Sequence, residues 1–126
     1  MTQPLISCLM VTRDRLEMFK RSVSLFLRQT WLRKELIVVI DGTDVAEEIH
    51  SYVMQLGKEE IKCVTVAGPS TLGRLRNISI GIATGEILCQ WDDDDLYHPL
   101  RLERQFSQME NAFLMQTIET DYRISS

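Results

Sequence analysis

Four apolar runs of strand length alternate with four amphipathic stretches, and this alternation limits the fold more than any other feature of the chain. Leu5 to Val11 (LISCLMV) is continuous and apolar enough for burial on both faces of a sheet. After Thr12-Arg13-Asp14, Leu16, Phe19, Val23 and Phe26 recur at helical spacing to about Gln29. A second run, Glu35 to Ile40 (ELIVVI), stops at Asp41-Gly42-Thr43. Thr43 or Asp44 is placed to cap the next helix, with Glu47 three residues after Asp44 as in a capping box. That helix carries Val45, Ile49, Val53 and Leu56 on one face and ends at Gly57. The third run, Ile61 to Val66, holds Lys62 and Thr65, which suits an edge strand. Ala67 to Thr71 is turn-rich and can cap a helix marked by Leu72, Leu75, Ser79 and Ile82, expected to stop at Gly85. Glu86 to Trp91 (EILCQW) is the fourth run. Pro99 sits where a first helical residue is favoured, and Leu102, Phe106, Met109 and Phe113 form the last amphipathic face.

The order β-α-β-α-β-α-β-α predicts an α/β fold, a Rossmann-like, mostly parallel sheet with helices on both faces. Right-handed crossovers and the two more apolar early strands favour strand order 3-2-1-4. A length of 126 residues suits one domain. A net charge of −4 without a Lys/Arg cluster argues against a nucleic-acid binder. Cys8, Cys63 and Cys89 are odd in number, lie in apolar runs and lack CxxC spacing, so they read as core thiols of a reducing compartment. No apolar stretch reaches the ~18 residues that span a bilayer, and the N-terminus lacks a charged leader segment. The expected location is cytoplasmic, at most peripheral to a membrane.

Trp91 leads into four consecutive carboxylates, Asp92 to Asp95. Two like charges 4 Å apart repel by roughly 4 kcal/mol at an effective dielectric near 20, so bulk water or a divalent cation must offset the run. A solvated loop is the ordinary reading of such a run. Position argues for more. In open α/β sheets ligands bind beyond the carboxyl ends of the strands where strand order reverses. Thr12 follows the first strand, Asp41 the second and Asp92 to Asp95 the fourth, and in order 3-2-1-4 these three strands are neighbours. Their ends then span about 10 Å at ~4.8 Å per strand, the reach of a nucleoside diphosphate. A solvated loop explains one of these positions and not all three. The helix near Pro99 is expected to aim free backbone N–H groups at the same crevice. Taken singly, Trp31 and Trp91 read as packing residues, His98 as a helix cap and His50 as a surface residue. The chain has neither a GxxxxGK[ST] phosphate loop nor a GxGxxG fingerprint, which sets aside P-loop enzymes and dehydrogenases. Its lysines, Lys20, Lys34, Lys58 and Lys62, are poorly placed for a phosphoacceptor receiver domain.

Ile6 to Arg13, Gln29-Thr30-Trp31, Glu35 to Thr43, Gly73 to Asn77, Gly85-Glu86 and Asp92 to Asp95 occur in an order that resembles family-2 glycosyltransferases. The likeness covers roughly Pro4 to Asn111 and is to the nucleotide-binding half of the A-type glycosyltransferase fold. It implies that residues 4–112 bind a nucleotide-sugar, with 113–126 as helix end and polar tail. By this resemblance Thr12 and Asp41 contact nucleobase and ribose, and Asp93 lies near the ribose. Asp92 and Asp94 are the ends of a DxD motif, with Asp94, supported by Asp92, on a divalent metal (Mn²⁺ or Mg²⁺) that bridges the diphosphate. Arg76 and Asn77 match the family's Arg-Asn pair. Ile40 departs from the family's usual Asp-Asp-Gly-Ser after the second strand, while Asp41 is kept.

The implied activity is metal-dependent, inverting transfer of a sugar from a nucleotide-sugar, UDP-linked by expectation, to a glycan or lipid-linked acceptor in surface polysaccharide synthesis. No residue matches the family's catalytic base, which the resemblance places in a second half, so the chain reads as a donor-binding portion. One alternative is a non-catalytic module kept for nucleotide and metal binding or for interaction. A sugar nucleotidyltransferase is a second, disfavoured because Thr12-Arg13-Asp14-Arg15 lacks glycine. An unpaired sheet edge offers a route to homo-oligomers.

Overall fold

Each apolar run becomes a parallel strand, in the order expected. A computed structural model describes residues 3–42 and 45–112. The strands are β1 (Ile6–Thr12), β2 (Lys34–Gly42), β3 (Ile61–Ala67) and β4 (Ile87–Gln90). They form one sheet in the order β3-β2-β1-β4, and every pair is parallel. The helices are α1 (Leu16–Leu27), α2 (Ala46–Leu56), α3 (Leu72–Ile82) and α4, residues 101–112.

Alternation along the strands sorts the core into two layers. Ile6, Cys8, Met10, Leu36, Val38, Ile40 and Cys89 join Phe19, Val23 and Phe26 of α1, Ile49 and Val53 of α2 and Leu102 of α4 in one buried cluster. Leu9, Ile37 and Val39 are also buried but lie outside that cluster, while α3 packs on β1 and β2 with Leu75 and Ser79 buried. The central strands are therefore covered on both faces, which is why LISCLMV and ELIVVI contain almost no alternation. At the edge, β3 does alternate, from buried Ile61 through exposed Lys62 to exposed Thr65. Cys8 and Cys89 are buried neighbours in register and Cys63 is half-buried; all three are free thiols.

Several element ends follow their local chemistry. Gly57 closes α2 at φ 60°, the left-handed region open to glycine. The Thr71 hydroxyl accepts from the Arg74 N–H and caps α3. Other ends depart from expectation. Val45, which has no side-chain cap bond, occupies the N-cap of α2, and Thr43 and Asp44 of the expected capping box lie outside the described residues. Helix α3 ends at Ile82, not at Gly85. Gly85 has a different task, because a Cβ there would sit 2.7 Å from the Leu5 carbonyl oxygen and collide with the Ser7 hydroxyl. Phe113 and the tail 113–126 also lie outside the described residues.

A polar staple closes the lower end of the sheet. The Glu35 carboxylate is buried and accepts from the Ser7 hydroxyl (2.5 Å), the Thr84 N–H (2.7 Å) and Lys62 Nζ (2.9 Å). The Ser7 hydroxyl in turn accepts from the Gly85 N–H at 2.8 Å. Burial pushes the Glu35 carboxyl up, but the bonds from Ser7, Thr84 and Lys62 outweigh it and lower the carboxyl to about 2. Among the described residues, no helix is long and apolar enough to cross a membrane.

Candidate functional site

The upper ends of β1, β2 and β4 open into one crevice of about 350 Å³. Thr12, Asp41, Asp92, Asp93 and Asp94 line it together, as their positions at the ends of adjacent strands require, and Arg76 joins them from α3. Asn77 is exposed on α3 and is not among the lining residues. Trp91 fixes where the acidic run begins. Its N–H continues the β1–β4 pairing to the Leu9 carbonyl at 2.8 Å, and its ring is fully buried. The indole Nε1–H donates to the Ser22 carbonyl at 3.1 Å, and the ring packs against Tyr97 (4.1 Å between centroids) and edge-on to Phe26. Ser22 then donates its hydroxyl to the Asp92 carbonyl at 3.0 Å, so α1 grips the run at two consecutive residues.

The four carboxylates therefore sit in different environments. Asp92 is half-buried, and its backbone N–H donates to the Tyr97 hydroxyl oxygen at 2.8 Å. Asp93 is only 8% exposed and accepts from the Thr12 hydroxyl at 2.9 Å. Burial raises the Asp93 carboxyl above its ordinary value, with the Thr12 bond and the Arg15 charge working against that. Asp94 and Asp95 are exposed, and Asp95 takes a bond of 3.4 Å from the Tyr97 hydroxyl. A uniformly wet loop would leave all four alike; here only Asp94 and Asp95 reach solvent freely.

Arginines from the β1–α1 loop oppose these carboxylates. Arg13 pairs with buried Asp41 at 3.2 Å, and Arg15 pairs with Asp94 at 3.3 Å and Asp93 at 3.7 Å. Neither arginine is among the site residues expected from the sequence, although two arginines just beyond a strand that faces an acidic run are a readable signal. Glycine at 68 is required by close approach: a Cβ there would run into Asp41 Oδ1 and stand 3.2 Å from the Gly42 nitrogen.

The amide groups at the start of α4 correct one expectation. They do not face a ligand. The Leu100 N–H donates to His98 Nδ1 (3.1 Å), that of Arg101 to the His98 carbonyl (3.0 Å) and that of Leu102 to Gln29 Oε1 (3.1 Å). Gln29 also donates to the His98 carbonyl at 2.8 Å, so it acts as a cap delivered from the α1–β2 loop. His98 is a cap as expected, His50 is exposed, and Trp31 and Trp91 are packing residues.

Among the described residues no three His, Cys, Asp or Glu side chains form a self-contained metal cage. The donor set nonetheless fits a hard cation that takes part of its shell from a substrate. Mg²⁺-like ions are held by one or two carboxylates plus phosphate oxygens and water. Asp94 and Asp92 line the crevice, and the Asp94 side chain is 52% exposed.

Comparison with known proteins gives this geometry a context. Glycosyl transferase family 2 matches residues 7–121. An uncharacterized glycosyltransferase of Methanocaldococcus jannaschii is 33% identical over 116 residues, 88% of this chain and 39% of that protein. The putative colanic acid biosynthesis glycosyl transferase WcaA of Escherichia coli K12 is 34% identical over 99 residues, 79% of this chain and 36% of its own length. The chain thus spans less than two fifths of these two relatives. Among solved structures, S. aureus TarS 1–349 in complex with UDP superposes with a TM-score of 0.73 at 21% identity, covering 85% of this chain and 32% of that one. The mannosyltransferase PcManGT from Pyrobaculum calidifontis, in complex with GDP-Man and Mn²⁺, gives 0.69 at 18%, covering 76% and 29%. The parallel 3-2-1-4 sheet is the Rossmann-like part of the A-type glycosyltransferase fold. The chain belongs to glycosyl transferase family 2.

Proposed function

We propose that the crevice binds the nucleoside diphosphate of a nucleotide-sugar and that the chain is the donor-binding part of a metal-dependent, inverting glycosyltransferase. The observation that carries this reading is the convergence of Thr12, Asp41, Arg76 and Asp92 to Asp94 on one concavity. Asp41 and Asp93 offer carboxylates to nucleobase and ribose hydroxyls, and Thr12 acts by holding Asp93. Arg76, exposed on α3, supplies positive charge to the phosphates, and Asn77 stands beside it. Asp94, with Asp92, would hold Mn²⁺ or Mg²⁺; once bound, the cation acts as a Lewis acid for the charge that builds on the leaving diphosphate. Relatives and neighbours are named with UDP-Glc, UDP-GlcNAc and GDP-Man, all nucleoside diphosphate sugars, and UDP-linked donors are the more frequent among them.

Two relatives are named for colanic acid biosynthesis and for a diphosphoundecaprenol acceptor, which supports a glycan or lipid-linked acceptor in surface polysaccharide assembly. No residue of this chain is assigned as the base that deprotonates the acceptor.

Thermal unfolding with UDP, GDP and dTDP, each with and without Mn²⁺, tests the reading. A ligand at 100 times its Kd adds ~2.7 kcal/mol, which for a domain of this size raises Tm by on the order of 10 °C. Asp94→Ala should keep the fold and lose the Mn²⁺-dependent part of the shift. Absence of any nucleotide shift in the wild-type chain would refute the donor site, and a full Mn²⁺-dependent shift in Asp94→Ala would refute the metal assignment alone.

A further inference from the structure

We infer that Arg15 is a charge latch on the acidic run: without donor its guanidinium occupies the electrostatic place of the cation, and it turns to the diphosphate when nucleotide and metal enter together. This rests on the donor-site reading above and adds an order of binding to it. A single nitrogen, Arg15 Nη1, lies 3.3 Å from Asp94 Oδ2 and 3.7 Å from Asp93 Oδ1, so one positive group serves two successive carboxylates. Arg21 adds to this field, its Nη2 donating to the Asp94 carbonyl at 3.4 Å. A guanidinium cannot shed its proton, so a divalent ion approaching Asp94 must displace a permanent charge or bind beside it.

The base of the latch is fixed while its tip is exposed to solvent. Arg15 is the N-cap residue of α1, and its carbonyl accepts from the N–H of fully buried Phe19 at 2.8 Å. The side chain beyond it is 51% exposed, and exposed ion pairs are weak enough to exchange partners. The preceding residue, Asp14, has φ 52°, a conformation rare outside glycine but tolerated by aspartate. This turn lets Arg13 and Arg15, two positions apart, reach separate acidic groups of one crevice. Arg13 pairs with Asp41, which is almost fully buried, whereas Arg15 pairs with the exposed Asp94. Arg15 is the one of the two whose partner can pass to a metal. The diphosphate brings compensating anionic oxygens, to which a planar guanidinium can donate in parallel.

The consequence is a pair of effects with opposite signs. Arg15→Gln should bind Mn²⁺ alone about tenfold more tightly than wild type and UDP in saturating Mn²⁺ at least about fivefold more weakly. Arg15→Lys keeps the charge and should stay near wild type for Mn²⁺ alone. Calorimetric titration of the whole chain with Mn²⁺, then with UDP in Mn²⁺, reads both arms without requiring turnover. A purely structural ion pair would move neither arm in this pattern. If wild type binds UDP and Mn²⁺ but Arg15→Gln takes Mn²⁺ no more tightly, the latch is refuted and the donor site stands. If neither chain binds either ligand, both readings fall.

Discussion

Replacing Glu35 by Gln should destabilise the protein strongly at neutral pH, and the loss should shrink in acid. Every group around this carboxylate is a donor: the Ser7 hydroxyl, the Thr84 N–H and hydroxyl, and Lys62 Nζ. An amide keeps the shape but turns an NH₂ group toward donors, leaving buried polar atoms without acceptors. Magnitude follows from linkage. The folded carboxyl lies at about 2 against an ordinary 4.5, and at ~1.4 kcal/mol per tenfold change in proton affinity this corresponds to roughly 3 kcal/mol. Lys62 is partly solvent-screened, which brings the expected loss to roughly 2–3 kcal/mol. Because the folded value lies below the unfolded one, the stabilisation is complete above the unfolded value and declines as pH falls through the range down to about 2. Urea unfolding of both chains near neutral pH and near pH 3 isolates this group, since all other carboxyls are shared. The gap between wild type and Glu35→Gln should narrow by about 2 kcal/mol on going to about pH 3. A variant within about 0.5 kcal/mol of wild type at neutral pH, or a gap that does not depend on pH, would refute the staple.

Thr12→Val removes the hydroxyl that donates to Asp93 while keeping the shape of a buried position; stability should fall by about 1–2 kcal/mol and UDP affinity by several-fold, read by urea unfolding and titration. Gly68→Ala places a methyl group against Asp41 Oδ1, so UDP binding should weaken more than tenfold in the same titration, and because Asp41 is buried and cannot retreat into solvent, stability should fall by about 1–3 kcal/mol.

The architecture was legible because burial on both faces leaves a plain mark: β1 and β2 read as unbroken apolar runs, and β3 showed its edge position through Lys62 and Thr65. The acidic half of the crevice was legible for a related reason, since strand order alone brings residues beyond β1, β2 and β4 to one place. What stayed hidden depends on pairs remote in sequence. Glu35 looked like the polar start of a strand until Ser7, Lys62 and Thr84 closed around it, and Gln29 gave no local hint that it caps α4. Gly85 resembled a helix stop because a residue free of Cβ serves a close approach as well as a left-handed turn.

The aspartate run shows how identical residues are made unequal. Trp91 is drawn into the core and tied to Ser22, which fixes the direction of the chain as it leaves β4. The next residues then fall at successive depths: Asp93 beneath the surface on Thr12, Asp94 at the rim beside Arg15, and Asp95 on Tyr97. A buried carboxylate held by a hydroxyl and a rim carboxylate held by an exchangeable cation are suited to different partners. The first has little freedom and offers a fixed acceptor. The second lies in solvent, where its ion pair with Arg15 can open without disturbing the core. The chemical division of the run is thus set by an indole outside it, and altering Trp91 should disorder the site even though no ligand need touch that ring.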